Sequence, residues 1–498
     1  MNKLEKILEV TFPLEIKITS ATNSTNKVKK DSIFFGLRGE KNHGSKYIEL
    51  ALELGASIAV HNDSSYISER GNVFYIEDLE DADDFFVRDK IYYFLEEFHQ
   101  IPNIQNRNNF FAFTGTNGKT STAYLCHQLL ISQDCESVYI GTIGTQHNSE
   151  EINQSFSSKT TPDIFELFNI FKFYDFQDSV SVCIEMSSHA LNQDRLKYLS
   201  CLNSASILNI GTDHLDYHLN LNNYANAKFS IFDTTSQVRL INENLKTLGD
   251  DYDFIKNSPY KLTCIGSENQ FSDIYYEIIE SNFNKSIFQI TINNPPFGYP
   301  EDSKKTYKFS SSLFPDFNIQ NLVFAICSIG FANFSTTNEN NLSFLSLPQG
   351  RTELISDISA NVIIDFAHNA EGFELILSSI KSYFDNLIII FGCGGDRDKL
   401  KRPKMLKIAM QNGKKVIFTS DNSRSESFNS IYSDAIESMK NHDVLAIEDR
   451  KEAIIQGSKM IGDNDCLVIL GKGHENTQEI NGNFLYFSDH EVVNEIYK

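Results

Sequence analysis

The segment "FAFTGTNGKTSTAYL" combines residue types that bind phosphate groups. Gly115 and Gly118 let backbone N–H groups approach a phosphate closely, and Lys119 adds a positive charge. A hydroxyl from Thr120 or Ser121 is a suitable Mg²⁺ ligand. A buried strand before the loop and a helix starting about three residues after the lysine favour this interpretation over a turn with a surface lysine. The loop is shorter than the common G-x-x-x-x-G-K-[ST] pattern, and we predict a nucleotide-phosphate-binding loop of unusual form. Its predicted residues are Gly115, Thr116, Asn117, Gly118, Lys119, Thr120 and Ser121.

This shortened loop resembles that of the Mur ligases and the folylpolyglutamate synthetases, which join an amine to a carboxylate using ATP. Nine further segments follow in the order typical of the Mur ligase family, and in particular of its members that add the third amino acid. They are "TTPD" (160–163), "EMSSHALNQDRL" (185–196), "ILNIGTDHLDYH" (207–218), "YANAKFSIF" (224–232), "GRTE" (350–353), "DFAHNAEG" (365–372), "FGCGGDRDKLKRP" (391–403), "DNSR" (421–424) and "GKGHE" (471–475). Nine motifs in sequence are far more specific than one loop.

The resemblance implies a two-step reaction with ATP and Mg²⁺ as cofactors. A substrate carboxylate attacks the γ-phosphate of ATP, and an amine then attacks the acyl phosphate. Two anions meet in the first step, so the site needs cations and accurate positioning. Lys119 is expected to contact the β- and γ-phosphates, and Arg351 and Asp365 to complete the ATP site.

The resemblance also implies a set of metal ligands and catalytic residues. Glu185 ends the buried strand "VCIEM", and hard divalent cations prefer such oxygen donors. Lys228 matches a family lysine that is carbamylated to N6-carboxylysine, and its alternative is a solvated helical lysine. His214 matches a family histidine, and its alternative is a turn cap. The implied metal ligands are Thr120, Glu185, His214 and Lys228, and the catalytic residues are Lys119, Glu185, His214 and Lys228.

The implied carboxylate substrate is UDP-N-acetylmuramoyl-L-alanyl-D-glutamate, used in peptidoglycan precursor synthesis. Hydroxyl and amide groups suit its sugar and peptide parts, and an arginine suits a carboxylate or phosphate. The serines and threonines also fit N-capping and turn roles. The matching residues are Thr160, Thr161, Ser187, Gln193 and Arg195, with Thr25 expected near the uridine.

"DNSR" resembles the family signature for meso-diaminopimelate, whose far end carries both a carboxylate and an ammonium group. Arg397 and Arg424 suit the carboxylate, and Asp421 and Glu475 suit ammonium groups. Ser423 stands where the family has proline, which removes a constraint on the turn. The predicted contacts are Arg397, Asp421, Asn422, Ser423, Arg424, Gly471 and Glu475.

Three alternatives stay open. The same chemistry could add L-lysine or another diamino acid, because Ser423 and Leu400 depart from the family pattern. A P-loop ATPase or kinase without ligase activity would leave the C-terminal motifs unexplained. A catalytically dead binding protein would be expected to have lost Lys119, Glu185 or Lys228, and all three are present.

The elements that position these residues are predicted to be α/β throughout. Buried strands such as "FFAFTG", "SVSVCIEM", "NVIIDFAH" and "CLVILG" run straight into polar or glycine-rich turns, a pattern typical of parallel sheets with ligands at the strand ends. We predict a small α/β N-terminal domain for the UDP-substrate (1–105), a central P-loop-type parallel sheet for ATP (106–345) and a Rossmann-like C-terminal domain for the amino acid (346–498). Residues 262–315 are expected to be β-rich.

Composition limits the class of partner. The formal net charge of −22 over 498 residues argues against nucleic acid. The eight cysteines are scattered, which is typical of reduced thiols, and the N-terminal sequence does not fit a signal peptide. No apolar run reaches the length of a membrane helix. We expect a cytoplasmic monomer without stable membrane insertion.

Overall fold

The computed structural model describes most of the chain. It covers residues 3–13, 16–39, 42–79, 89–101, 108–156, 159–176, 179–193, 195, 201–213, 215–247, 258–296, 305–437, 439 and 443–498. His214, one of the predicted metal ligands, lies outside the described residues. Contacts group the chain into two compact units. The first is Met1–Thr114, Leu130–Ala205 and Asn226–Arg239, and the second is Gly115–Leu129, Ser206–Ala225 and Leu240–Lys498.

The N-terminal part of the first unit is a small α/β layer. Its elements are α1 (Lys3–Leu8), β1 (Ser20–Thr22), β2 (Ser32–Gly36), α2 (Ile48–Glu53), β3 (Ala56–His61), β4 (Val73–Tyr75) and α3 (Asp89–His99). The strands form a parallel sheet in the order β1-β2-β3-β4. Strand β2 is buried along its length, as the run "SIFFG" predicts.

The central part follows with a larger set of elements. They are β5 (Asn109–Thr114), α4 (Lys119–Ser132), β6 (Ser137–Gly141), β7 (Gly144–His147), α5 (Ile164–Phe173), β8 (Ser181–Glu185), α6 (Ser188–Asn192), β9 (Cys201–Ile207), α7 (Leu215–His218), α8 (Leu221–Phe229), β10 (Thr235–Asn242), α9 (Asn244–Thr247), β11 (Thr263–Gly266), β12 (Ile274–Ser281), β13 (Ser286–Ile292), β14 (Thr306–Ser311), α10 (Asp316–Ile329) and β15 (Asn340–Asn341). In the first unit the strand order is β9-β5-β8-β6-β7, with β5, β8 and β6 parallel.

The second unit continues from β10 through β11 to β15 in sequence order. Strands β12, β13 and β14 are antiparallel neighbours, which confirms the β-rich stretch predicted for this part of the chain. Strand β13 alternates buried and half-buried residues, the period expected when one face of a sheet packs on a core.

The C-terminal section is a parallel α/β domain within the second unit. Its elements are β16 (Glu353–Leu354), β17 (Asn361–Asp365), α11 (Ala370–Ile380), β18 (Leu387–Phe391), α12 (Lys401–Asn412), β19 (Lys415–Phe418), α13 (Phe428–Ile436), β20 (Val444–Ala446), α14 (Arg450–Ser458), β21 (Cys466–Leu470), β22 (Thr477–Ile480), β23 (Asn483–Tyr486) and α15 (Asp489–Tyr497). The order is β16-β17-β21-β18-β19-β20, and all pairs except β16 with β17 are parallel. Separate apolar clusters cover the two faces of this sheet. The predicted α/β class is confirmed.

One predicted boundary is wrong. Helix α4 begins at Lys119, three residues before the predicted start. The carbonyl oxygen of Gly118 accepts a hydrogen bond from the N–H of Thr122 at 2.9 Å. This bond places Lys119 and the next two residues in the first helical turn.

Two other observations concern the chain as a whole. All seven cysteines whose side chains the structure describes are free thiols. In the described ranges, no helix has the length and apolar character needed to cross a membrane.

Candidate functional site

The glycine-rich loop turns tightly before α4. Gly118 has a φ of +86°, a left-handed conformation that favours glycine. A Cβ atom there would lie 2.6 Å from Oδ1 of Asn321. Lys119 folds back and donates hydrogen bonds to the carbonyl oxygens of Gly115 at 2.9 Å and Thr116 at 3.0 Å. The loop therefore holds its own lysine close to its backbone.

A second segment of the same unit anchors the loop. The N–H of Thr116 donates to the carbonyl oxygen of Asn209 at 3.2 Å, and the N–H of Asn117 donates to Oδ1 of Asn209 at 2.9 Å. Oγ1 of Thr116 accepts from the N–H of Gly211 at 2.8 Å and lies 3.1 Å from the Tyr224 hydroxyl. Because these N–H groups already have protein acceptors, we expect phosphate to meet the later N–H groups at the start of α4.

Arg351 reaches the loop from the segment before β16. Its Nη2 donates to Oγ1 of Thr120 at 3.1 Å. Its guanidinium carbon lies 4.4 Å from the centre of the Phe366 ring, which is close enough for a cation–π contact. Nε of Arg351 is buried and has no hydrogen-bond partner among the described residues. The cation is therefore held beside Thr120 with donor capacity to spare.

Asp365 acts on this region through the backbone. Its carboxylate accepts hydrogen bonds from the N–H of Thr352 at 2.6 Å, from Oγ1 of Thr352 at 3.1 Å and from the N–H of Ala367 at 2.6 Å. Burial raises the pKa of Asp365 above its usual range, although Arg351 opposes the shift. Asp365 thus fixes the turn that carries Arg351.

Helix α11 also contacts the loop region. Asn369 is its N-cap and accepts from the N–H of Gly372 at 2.7 Å. The two carboxylate oxygens of Glu371 accept from the N–H of Thr212 at 2.7 and 2.8 Å. The side-chain amide of Asn369 lies 3.4 Å from Oδ2 of Asp213. These bonds join the C-terminal section to the 209–213 segment that anchors the loop.

Glu185 lies in the first unit, at the end of β8, and is fully buried. Its carboxylate accepts from the Tyr139 hydroxyl, from the N–H of Thr142 at 2.8 Å and from Oγ1 of Thr142 at 3.1 Å. A Cβ at Gly141 would lie 2.0 Å from Oε1 of Glu185, so glycine makes room for the carboxylate. Three donors therefore orient this buried oxygen ligand.

The structure describes three of the four predicted metal ligands, Thr120, Glu185 and Lys228. Lys228 is 1% exposed on α8, which excludes the alternative of a solvated lysine. Among the described residues, no three His, Cys, Asp or Glu side chains cluster as metal ligands would. Glu185 and Lys228 belong to the first unit, and Thr120 to the second.

The residues predicted to bind the muramoyl dipeptide meet in the first unit. Oγ1 of Thr161 donates to the carbonyl oxygen of Glu185 at 2.8 Å and accepts from the N–H of Ser187 at 2.9 Å. Arg195 donates through Nη1 to the Thr161 carbonyl at 2.6 Å and through Nη2 to Oε1 of Gln193 at 2.7 Å. Oγ1 of Thr160 lies 3.3 Å from Oγ1 of Thr142. Ser187 is also the N-cap of α6. The same residue therefore caps a helix and takes part in the hydrogen bonds with Thr161.

Thr25 lies in a short 3₁₀ turn, Thr25–Lys27, after β1. Nζ of Lys27 is 3.0 Å from Oε1 of Glu166, in the first turn of α5. Burial raises the pKa of Glu166, and the bond from Lys27 opposes the shift. Helix α5 starts directly after the "TTPD" segment, so the structure brings the turn that carries Thr25 to the end of that segment.

The residues predicted to bind the amino acid lie beyond the C-terminal ends of β18, β19 and β21. Nδ2 of Asn422 donates to Oε2 of Glu475 at 2.9 Å. Gly471 has a φ of +110°, and a Cβ there would lie 2.6 Å from Oδ2 of Asp421. The Ser423 carbonyl accepts from the N–H of Glu426 at 3.0 Å, which braces the turn where the family has proline.

Charge at these strand ends is unevenly distributed. Burial alone would raise the pKa of Asp421, but Lys472 and Arg450 lower it below its usual range. Arg424 adopts a φ of +51° and donates through Nη1 to the Gly395 carbonyl at 2.9 Å. Arg397 is exposed. Six of the seven predicted residues therefore lie close together in two segments that contact each other, and the seventh, Arg397, is exposed.

Several residues of the site were not predicted. Lys472 is fully buried and donates to Oε2 of Glu475 at 2.9 Å. It stands inside "GKGHE", so the motif itself was the available signal. Asn209 and Tyr224 anchor the loop from motifs that had been recognised but not interpreted residue by residue. Thr142, which donates hydrogen bonds to Glu185, lies in no recognised motif.

The fold defines the class of protein. The structure of a UDP-N-acetylmuramoyl-L-alanyl-D-glutamate–2,6-diaminopimelate ligase is similar over 99% of this chain and 98% of that one, with a TM-score of 0.61 and 26% identity. The MurF ligase of Thermotoga maritima in complex with ADP gives a TM-score of 0.61 at 15% identity, covering 100% of this chain and 98% of that one. These likenesses show that the chain has the fold of the Mur ligases.

Sequence comparison then identifies the family. The Mur ligase middle domain matches residues 113–329, and the Mur ligase glutamate ligase domain matches residues 350–473. UDP-N-acetylmuramoyl-L-alanyl-D-glutamate–2,6-diaminopimelate ligases of Clostridium perfringens and Aquifex aeolicus are each 31% identical to this chain. The alignments cover 97% and 98% of this chain and 95% of each relative. The chain belongs to the Mur ligase family.

Proposed function

We propose that this chain is an ATP-dependent ligase that adds meso-diaminopimelate to UDP-N-acetylmuramoyl-L-alanyl-D-glutamate in peptidoglycan precursor synthesis. The observation that carries the proposal is that Asn422 is hydrogen-bonded to both Arg424 and Glu475 beyond the C-terminal sheet. Arg351, in the segment before the first strand of this sheet, contacts Thr120 of the ATP loop. Relatives that align over nearly the whole chain carry this name. The reaction belongs in the cytoplasm and is carried out by a monomer with the three sequence-defined domains.

In the first step the substrate carboxylate attacks the γ-phosphate of ATP. Lys119 and the N–H groups at the start of α4 neutralise charge on the phosphates, and Arg351 adds a second cation beside Thr120. Asp365 keeps Arg351 in place. In the second step the amine attacks the acyl carbon, and the tetrahedral intermediate expels phosphate.

The predicted metal ligands fit Mg²⁺ in chemical type, each considered by itself. Thr120 offers a hydroxyl, and Glu185 offers a buried carboxylate already oriented by three donors, both of them hard oxygen ligands. Lys228 becomes an oxygen ligand only when carbamylated, and its burial keeps its amine away from bulk solvent. His214 would complete the set. When bound, Mg²⁺ offsets negative charge on the phosphate oxygens.

The two substrates have separate sites in this proposal. Thr160, Thr161, Ser187, Gln193 and Arg195 hold the muramoyl dipeptide, and Thr25 lies near its uridine. The argument for this site is that these side chains form one hydrogen-bonded cluster around the end of β8. The amino acid lies against the residues that follow β18, β19 and β21, with Arg424 receiving its distal carboxylate.

The test is phosphate release by the purified protein with ATP, Mg²⁺ and UDP-N-acetylmuramoyl-L-alanyl-D-glutamate. Parallel reactions contain meso-diaminopimelate, L-lysine or no amino acid. We expect release with diaminopimelate alone. Equal release with L-lysine would reassign the amino acid, and release that ignores both would support a plain ATPase.

A further inference from the structure

Glu479, on strand β22, forms an ion pair with the arginine of the proposed amino-acid site. Its Oε2 lies 3.1 Å from Nε of Arg424, and the two side chains are 27% and 23% exposed. The pair is therefore neither buried nor fully solvated. The Nη1 of Arg424 is used by the Gly395 carbonyl, so Glu479 occupies the Nε edge of the guanidinium.

Backbone hydrogen bonds fix Glu479 in this place. The N–H of Arg424 donates to the Glu479 carbonyl at 3.0 Å, and the N–H of Glu479 donates to Oδ1 of Asn422 at 2.9 Å. The N–H of Asn481 donates to the Arg424 carbonyl at 2.7 Å. Asn481 and Gly482 both have positive φ, as a two-residue hairpin turn requires. The β22–β23 hairpin thus docks on the turn that carries Arg424.

The other acids of the site already have cationic partners of their own. Asp421 is close enough to Lys472 and Arg450 for both to lower its pKa. Glu475 accepts from Lys472 and from Asn422 through the same oxygen. Among the described residues, the carboxylate of Glu479 pairs with Arg424, the same cation that is expected to bind a substrate carboxylate.

A simple carboxylate at Arg424 would meet the negative charge of Glu479 at short range, where repulsion in a partly desolvated site is strong. A group that carries a carboxylate and an ammonium on one carbon avoids this conflict. Its carboxylate pairs with Arg424 while its ammonium pairs with Glu479. The distal end of meso-diaminopimelate is such a group.

We propose that Glu479 is a specificity-determining residue that receives the distal ammonium group of the amino-acid substrate. This inference rests on the proposed function. It adds a contact beyond those predicted from the motifs. The Arg424–Glu479 pair then recognises the carboxylate and the ammonium at the distal end of the substrate together.

A truncated substrate separates the two contacts: 2-aminopimelate keeps the distal carboxylate of meso-diaminopimelate but lacks the distal ammonium. The variants are Glu479→Gln, Glu479→Asp, and the control Glu491→Gln. Glu491 accepts a bond from Tyr486 of the same hairpin, so the control removes one nearby charge without touching Arg424.

For Glu479→Gln we expect kcat/KM for meso-diaminopimelate to fall at least tenfold, mainly through KM. The kcat/KM for 2-aminopimelate should stay the same or rise, and KM for ATP should change less than twofold. Glu479→Asp should recover part of the loss, and Glu491→Gln should match the wild type.

Two results would overturn the inference while leaving the ligase intact. A lower KM for meso-diaminopimelate in Glu479→Gln would show that Glu479 competes with the substrate carboxylate. Equal losses for meso-diaminopimelate and 2-aminopimelate would show a purely structural role. A wild type that adds no amino acid would instead overturn the proposed function, and this inference with it.

Discussion

Lys119 is the side chain on which the ATP-binding proposal depends most directly. It donates to two carbonyl oxygens of its own loop, so the loop backbone fixes the position of its amine. Preorganised charge of this kind is the main source of catalysis when charge develops on phosphate. Lys119 is half-buried, so in its absence water can satisfy the two carbonyl oxygens, and these bonds contribute less to stability than to activity.

Lys119→Ala should therefore lose activity far more than stability. We expect phosphate release to fall by about 100-fold or more, with a thermal unfolding midpoint close to that of the wild type. The control is Lys261→Ala, which removes an exposed lysine just before β11. Near-normal turnover by a folded Lys119→Ala protein would contradict the phosphate-loop assignment.

Among the structural elements, the ATP loop depends on the backbone conformation at Gly118. An alanine there would adopt an unfavourable left-handed φ, at a cost of about 1–2 kcal/mol. It would also press on Asn321, whose Oδ1 accepts from Thr122 at 3.3 Å and whose amide donates to Asn318 at 3.1 Å. These bonds limit how far Asn321 can move aside.

Gly118→Ala should lower the denaturation midpoint more than two matched glycine variants do. Gly482→Ala has a positive φ but open space around its Cβ, and Gly71→Ala has open space and no positive φ. We expect the losses to follow the order Gly118, Gly482, Gly71, as measured by urea denaturation. Equal losses at Gly118 and Gly482 would mean that the contact with Asn321 costs nothing.

Helix α12 is joined to the proposed amino-acid site by an ion network of Lys399, Arg402, Glu426 and Asp434. Arg402 is fully buried and also donates to the Gly394 carbonyl at 3.2 Å. Glu426 accepts from the N–H of Asp396 at 2.6 Å. The network therefore holds the loop after β18 against the turn after β19.

This network should make stability depend on pH. The hydrogen bond from Arg402 lowers the pKa of Glu426 to about 2, from an ordinary value of 4.5. The stabilisation by ionised Glu426 is therefore complete above about pH 4.5 and is lost as the pH falls toward 2. In urea denaturation, the free energy of unfolding of the wild type should exceed that of Glu426→Gln most at neutral pH. This difference should become smaller by pH 3.

Glu437→Gln is the control for this pH series, since it removes a carboxylate near α13 that is not part of the network. A gap between wild type and Glu426→Gln that stays constant from pH 7 to pH 3 would contradict the linkage of stability to Glu426 ionisation.

The molecule as a whole carries a formal net charge of −22, which destabilises a compact state through self-repulsion. Salt screens such repulsion over distances beyond about 10 Å at 0.1 M. We expect the thermal unfolding midpoint at pH 7.5 to rise as NaCl increases from 20 to 300 mM. The rise should disappear near pH 5, since the isoelectric point is about 5.0. A fall with salt at pH 7.5 would show that local ion pairs outweigh net repulsion.

Local pattern was enough to predict the main strands and the position of most site residues. Runs such as "NVIID" and "CLVIL" are buried parallel strands because their side chains are apolar on both faces. The candidate site residues follow these strands directly, so recognising a strand also located the residues at its carboxyl end. The start of α4 was missed because it depends on the positive φ of Gly118, which glycine permits but does not require.

The sequence alone determined the fold class and the order of the motif residues, because each is encoded by neighbours along the chain. Only the tertiary structure decided what those residues contact. Asn422 meets Glu475 across 53 positions, and Thr116 meets Tyr224 across 108. The burial of Lys228 and the pairing of Arg424 with Glu479 likewise depend on how strands and hairpins pack. Tertiary packing determines which charged groups surround each side chain, and these neighbours cannot be deduced from the type of the residue alone.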